Sequence, residues 1–192
     1  MKIIKHRINW IEELKKLPAG MGAEVDIRTW GEDLHMAHDA FEKGELFLDF
    51  LEQWSKEERG TLILNTKEDG LEDRLSQLML EAQIEDYFFL DTAAPTLIRH
   101  SHYKKDPHFA IRISEFEPTE ALALLKDNTH WVWLDSFSGE LPSAEVLEQI
   151  KSYKVCLVSP ELQGRPIELI SQFKTIQSYL HSVCTKRPDL WS

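Results

Sequence analysis

Two histidines, two carboxylates and several cations occupy the first third of this 192-residue chain at spacings that can do chemistry. Glu24, Asp26 and Arg28 alternate through the run Ala-Glu-Val-Asp-Ile-Arg. In an extended strand residues two apart share a face, so all three should point one way and Val25 and Ile27 the other. Two inward carboxylates cannot both stay charged in a low-dielectric setting without a cation. A hard divalent ion with oxygen ligands, Mg²⁺ or Ca²⁺, is one answer; an ion-pair network with Arg7, Arg28 and Lys67 is the other. His6 and His38 stand near this pair at the ends of short apolar runs. A pair of histidines can divide the work of taking a proton from a nucleophilic hydroxyl and returning one to a leaving oxygen.

The elements that must position these residues can be read from the same string. Short β-branched and aromatic runs at 2–6, 23–28, 61–65, 87–91, 109–113, 131–135, 154–158 and 181–185 read as strands. Residues 34–37, behind the turn Trp30-Gly31-Glu32-Asp33, read as a hairpin return. Between the strands lie amphipathic stretches at 10–17, 45–54, 71–82, 118–126, 143–152 and 166–176, which predict helices. Asn9 and Ser143 are positioned as N-caps, and Pro118 suits a helix start. Eight strands alternating with helices predict a compact (β/α)8 TIM barrel, with a β-hairpin extension after strand 2, as a single domain over residues 1–192. The competitor is an open doubly wound sheet, but no glycine-rich turn follows the first strand.

In such a barrel the chemistry gathers at the carboxyl ends of the strands. That rule brings together His6-Arg7, Glu24, Asp26, His38-Asp39, Asn65, Lys67, Asp91, Arg112, Glu115 and Asp135. Trp131 and Trp133 share a face with Asp135 and should line the barrel, either stacking on a substrate or, the preferred reading, filling its core. Cys156 and Cys184 should pack as small apolar groups. His100, His102 and His108 surround a basic segment that reads as a solvated loop able to reach over the mouth.

The first forty residues carry a resemblance. His6-Arg7 after a first strand, then Glu24-Val25-Asp26-Ile27, a glycine-containing turn, and Ala37-His38-Asp39 resemble the pattern of glycerophosphodiester phosphodiesterases. Asn65-Thr66-Lys67 falls where that family has Glu-x-Lys, and Val183-Cys184-Thr185-Lys186-Arg187-Pro188 resembles its closing strand. The wider superfamily includes phosphatidylinositol-specific phospholipase C. The resemblance implies a metal-dependent phosphoric diester hydrolase with His6 and His38 as the acid/base pair. Arg7 and Lys67, with Arg112, would hold the phosphate of a small or lipid-derived phosphodiester. Glu24 and Asp26, with Asn65 or Glu115, would hold Mg²⁺ or Ca²⁺. Attack could come from a neighbouring substrate hydroxyl, giving a cyclic phosphate, or from water. The chain departs from the pattern at Ile8, where the family has glycine, at Asn65, where it has a carboxylate, and in the short span from His38 to Asn65. Those departures keep a second reading open, a barrel that binds phosphate ligands with little turnover. A third, an aldolase-like barrel using Lys67 as a Schiff-base amine, is also open.

Composition narrows the partners. A net charge of −11 argues against a general nucleic-acid binder, because phosphate backbones demand positive surface. No apolar run approaches the ~20 residues of a membrane span, and two cysteines make no disulfide framework. The expectation is a cytoplasmic protein without stable membrane insertion; oligomeric state is open.

Overall fold

The structure, a computed structural model, describes residues 1–192. Eight parallel strands form its centre: β1 (Lys2–Lys5), β2 (Gly22–Trp30), β5 (Leu62–Thr66), β6 (Tyr87–Leu90), β7 (Ala110–Ile113), β8 (Trp131–Leu134), β9 (Lys154–Val158) and β10 (Ser182–Thr185). β1 pairs with both β2 and β10, β2 with β5, and β5 with β6; on the other side β7 pairs with β8, β8 with β9, and β9 with β10. The remaining seam is narrow. Phe89 bridges Phe109 in parallel, and the Phe89 amide donates to the His108 carbonyl at 2.7 Å. The pairings therefore run full circle, as the eight-strand alternation predicts.

Two short antiparallel strands extend β2 on its outer side. β3 (Asp33–Met36) pairs Met36 with Ile27, and β4 (Glu45–Leu46) pairs Leu46 with His35. The hairpin after strand 2 is thus present, and β2 is longer than expected because its last residues serve the hairpin. β4 replaces the first turn of the helix expected from residue 45. The helix itself, α2 (Phe47–Trp54), starts directly after β4 and turns Phe47, Phe50, Leu51 and Trp54 inward.

The barrel is filled in the way alternation demands. Ile4, Ile63, Phe88, Leu90, Trp131, Trp133, Cys156, Val158 and Cys184 form one interior cluster. Phe88 stacks on Trp131 with ring centroids 4.4 Å apart, and the Lys154 ammonium lies 5.1 Å from the Trp131 centroid at the opposite end from the mouth. Burying a side chain of this size contributes about 2–3 kcal/mol. The tryptophans are core, as expected. Between β1 and β5 the packing leaves room for no side chain on β2's first residue. A Cβ on Gly22 would lie 2.3 Å from the Thr61 carbonyl oxygen and 2.9 Å from Ile4 Cγ1.

The opposite faces of the strands meet the helices. α1 (Ile11–Leu14), α2 and α3 (Glu72–Glu81) cover one half of the barrel, with Leu14, Phe50, Leu75 and Met79 packed on Val25, Ile27 and Leu64. α5 (Glu120–Leu125), α6 (Ala144–Ile150) and α7 (Leu169–Phe173) cover the other half, with Leu122, Ile150 and Phe173 packed on Val132, Leu157 and Val183. Ser143 caps α6, its hydroxyl accepting from the Val146 amide at 3.2 Å. Asn9 caps nothing, because Trp10 occupies that position before α1. No helix is long and apolar enough to cross a membrane.

The histidine-rich segment is not a loop over the mouth. α4 (Ala94–Leu97) continues as a π-helical turn over Ile98–Tyr103. His100 is buried there and stacks on Phe109 at 4.6 Å. His108, just before β7, lies at the barrel's amino-terminal end, bonded to Asp106 at 2.8 Å and stacked on Tyr87 at 4.1 Å. An aromatic neighbour for each of these two rings, invisible in a polar stretch of sequence, makes them packing groups, while His102, Tyr103, Lys104 and Lys105 between them are solvent-exposed as expected.

Candidate functional site at the barrel mouth

The carboxyl end of the barrel gathers six of the nine expected residues into one cluster. Glu24 and Asp26 point inward from β2 and are almost fully buried, each with 1% of its surface exposed. Glu24 Oε1 accepts from the Asn65 amide on the adjacent β5 at 2.9 Å, and Oε2 accepts from the Arg7 backbone amide at 2.7 Å. His6 Nε2 is 3.8 Å from Oε2, near but beyond hydrogen-bond reach. Asp26 Oδ1 faces the Lys67 ammonium at 3.0 Å, and Oδ2 faces the Arg7 guanidinium nitrogen Nε at 3.5 Å.

Local backbone geometry sets this up. β1 ends at Lys5, and Arg7 then takes a left-handed conformation with φ of 55°. Such a conformation costs a non-glycine residue about 1–2 kcal/mol. Here it aims the Arg7 N–H at Glu24 and lets the Ile8 amide donate to the Glu24 carbonyl at 2.8 Å. Glycine is the residue that adopts this φ without penalty.

Burial, followed by the Asp26 charge, pushes the Glu24 carboxyl well above the ordinary range; the hydrogen bonds from Asn65 and Arg7 work against that rise. Burial also lowers His6 to about 4, helped by the positive charges of Lys186 and Arg7. His6 is therefore a neutral imidazole at pH 7, and its Nδ1 is buried without a hydrogen-bond partner.

Two residues with structural roles at the mouth are not apparent in the sequence. Asn9 is buried and clasps Asp26 twice: its Nδ2 donates to Oδ2 at 2.8 Å, and its Oδ1 accepts from the Asp26 amide at 2.9 Å. An asparagine just before a helical run looks like a cap, and only the return of β2 beside it reveals the other use. Arg28 does not join the carboxylate pair. Its guanidinium donates to the His38 carbonyl at 3.1 and 3.2 Å and to the Lys67 carbonyl at 3.3 Å, tying the segments that carry those two residues.

His38 stands at the edge of the mouth, after the hairpin, and its Nδ1 bonds Asp39 Oδ1 at 2.7 Å. That hydrogen bond holds the exposed Asp39 carboxyl below its ordinary range. Beside His38 opens a cavity of about 480 Å³, lined by Arg7, Asn9, Trp10, Met36, His38 and Lys43 among others.

The structure does not bring Glu115 to the carboxylate pair. Its side chain turns outward and accepts from the Phe137 and Ser138 amides, both at 3.0 Å, and from the Ser136 hydroxyl at 3.2 Å. Desolvation opposes it, yet the Ser138 hydroxyl and these amides bring the carboxyl down to about 2. Arg112 reaches the mouth from the far side but is committed there. It pairs with Asp135 at 2.8 Å, with Asp91, and with Glu117 at 3.6 Å, while Gln163 donates to both Asp135 oxygens at 2.9 Å.

The donor set suits a hard divalent ion. Glu24 and Asp26 offer carboxylate oxygens, and Asn65 Oδ1 beside them is a buried acceptor with no hydrogen-bond partner. Such oxygens favour Mg²⁺ or Ca²⁺ over softer metals.

No protein-family model matches the chain, and no curated protein matches it in sequence. Similarity appears in the fold. A glycerophosphodiester phosphodiesterase from Agrobacterium tumefaciens superposes with a TM-score of 0.69 at 12% identity, over 100% of this chain and 98% of that one. A glycerophosphodiester phosphodiesterase from Parabacteroides distasonis gives 0.63 at 14% identity, over 98% and 93%. A glycerophosphoryl diester phosphodiesterase from the same organism gives 0.64 at 16% identity, over 98% and 84%. The chain thus has the α/β barrel fold of the glycerophosphodiester phosphodiesterases, with its buried carboxylate pair at the end of the barrel where such folds place their sites.

Proposed function

We propose that this protein is a phosphoric diester hydrolase acting on a small or lipid-derived phosphodiester. The observation that carries the reading is the buried Glu24–Asp26 pair, matched by Lys67 and Arg7 and flanked by a neutral His6. The fold shared with phosphodiesterases supports it.

In this reading Glu24, Asp26 and Asn65 would hold a divalent ion, Mg²⁺ or Ca²⁺, which when bound polarises a phosphoryl oxygen. Lys67 and the Arg7 guanidinium contact the unesterified oxygens and offset charge that grows on them as phosphorus becomes pentacovalent. His6, uncharged at pH 7, accepts the proton of the attacking hydroxyl, whether the substrate's own or that of water. His38 gives a proton to the departing alkoxide from Nε2, its Nδ1 being bonded to Asp39. The cavity beside His38 takes the leaving alcohol. Arg28 is a positioning residue, since it touches only the carbonyls of His38 and Lys67.

The test is turnover of a panel of glycerophosphodiesters by wild type and Glu24→Gln, with Ca²⁺ or Mg²⁺ and with chelator. Release of a phosphomonoester or cyclic phosphate that requires the ion and Glu24 is the expected result. Cleavage that survives both chelator and Glu24→Gln would remove this site from the reaction.

A further inference from the structure

The charges around the carboxylate pair balance without an ion. With both carboxyls ionised, Glu24 and Asp26 bring two negative charges; Lys67 at 3.0 Å and Arg7 at 3.5 Å from Asp26 bring two positive ones. The carboxylate oxygens are also engaged. Glu24 accepts from Asn65 and from the Arg7 amide, and Asp26 faces Lys67 on one oxygen and Asn9 on the other. The third oxygen-bearing side chain, Asn65, is neutral. Its Oδ1 is the oxygen of this cluster that is buried and still without a partner.

A divalent ion entering alone would place two uncompensated positive charges among buried groups, next to an ammonium and a guanidinium. Like-charge repulsion from Lys67 and Arg7 opposes that entry. A phosphodiester changes that balance. It carries one negative charge and two unesterified oxygens, so it can complete the ion's shell while drawing Lys67 and Arg7 off Asp26.

Resting on the phosphodiesterase reading above, we propose that this site takes up its divalent ion jointly with the phosphodiester. The neutral Asn65, in reach of Glu24, is the residue that makes ion affinity depend on the anion. Linkage requires reciprocity: whatever factor the anion gives the ion, the ion gives the anion.

Calorimetry on the full chain tests this with Ca²⁺ as the ion and dimethyl phosphate, which has no neighbouring hydroxyl, as the phosphodiester. The Kd for Ca²⁺ should fall at least ~10-fold when dimethyl phosphate is present, and the reverse titration should return the same factor. Asn65→Asp adds a third carboxylate, so Ca²⁺ alone should bind at least ~10-fold more tightly and the coupling should shrink. Equal Ca²⁺ affinity with and without dimethyl phosphate would overturn the proposal. So would an Asn65→Asp protein with unchanged affinity and coupling. If that variant does not fold, the two wild-type titrations decide alone. A chain that binds Ca²⁺ independently of the anion but still cleaves phosphodiesters loses this inference and keeps the function. A chain that binds no Ca²⁺ in either condition loses the inference and the metal dependence together.

Discussion

Replacing Lys67 by methionine removes one charge from the buried pair while keeping most of the side chain's volume. Two unit charges 3.0 Å apart, as Lys67 Nζ and Asp26 Oδ1 are, attract by about 5.5 kcal/mol at an effective dielectric of about 20. Hydration of the lysine in the unfolded chain takes back part of this, and breaking a buried pair usually costs about 3–5 kcal/mol. Asp26 would keep Arg7 at 3.5 Å and the Asn9 amide at 2.8 Å, so the low end applies. We expect Lys67→Met to lose about 3 kcal/mol in chelator, roughly a 1 M fall in urea midpoint. Tryptophan fluorescence can follow the unfolding, since the chain has six tryptophans. Asp26→Asn in the same background should recover much of the loss, because the stranded charge is then gone. Ca²⁺ should also restore stability to Lys67→Met without added phosphodiester, because removing the ammonium leaves the pair one negative charge in excess. A Lys67→Met protein within ~0.5 kcal/mol of wild type, or one that Ca²⁺ does not stabilise, would refute the charge balance assigned to this site.

Three further outcomes are expected. His6 is lowered from 6.5 to about 4, so on acidification the unfolded chain takes up a proton that the folded one refuses. Its contribution to stability is therefore retained above pH 6.5 and lost as pH falls toward 4. The stability difference between wild type and His6→Asn should shift against wild type by about 2 kcal/mol between pH 7.5 and pH 5 in urea titrations. Glu115→Gln should leave phosphodiester turnover within about twofold of wild type in a steady-state assay, since its carboxylate serves the 136–138 loop; a large loss would return it to the site. Phe88→Ala should cost about 3–5 kcal/mol in urea unfolding, because the ring is fully buried against Trp131 and Trp133.

The barrel was legible because its strands advertise themselves. Runs such as Trp131–Leu134 and Lys154–Val158 are largely apolar with β-branched or aromatic side chains among them, and they recur at a spacing that leaves room for one covering helix. The alternation of Glu24 and Asp26 with Val25 and Ile27 gave the inward face of β2 directly. The hidden part depends on partners far away in sequence. Asn9 meets Asp26, Arg28 meets the His38 and Lys67 carbonyls, and Arg112 meets Asp91 and Asp135 only once the ring has formed. Glu115 sits two residues after the end of β7, where strand parity no longer fixes direction, and four nearby loop donors take it outward. The covering helices were harder to bound than the strands. The stretch expected as one helix over 166–176 is a single α-helical turn and a half followed by a 3₁₀ segment over Lys174–Tyr179. Amphipathic periodicity does not separate the two when the same side chains face the barrel.

Whether the barrel mouth cleaves phosphodiesters with the help of a divalent ion and His38 is decided by phosphorus NMR of a phosphodiester panel. The panel is run with wild type in Ca²⁺ or Mg²⁺, wild type in chelator, and His38→Ala in Ca²⁺ or Mg²⁺. At least one member should be converted to a phosphomonoester or cyclic phosphate by wild type with the ion. That signal should vanish in chelator and fall by at least ~100-fold in His38→Ala. Conversion that persists in chelator and in His38→Ala at the wild-type rate would contradict this mechanism.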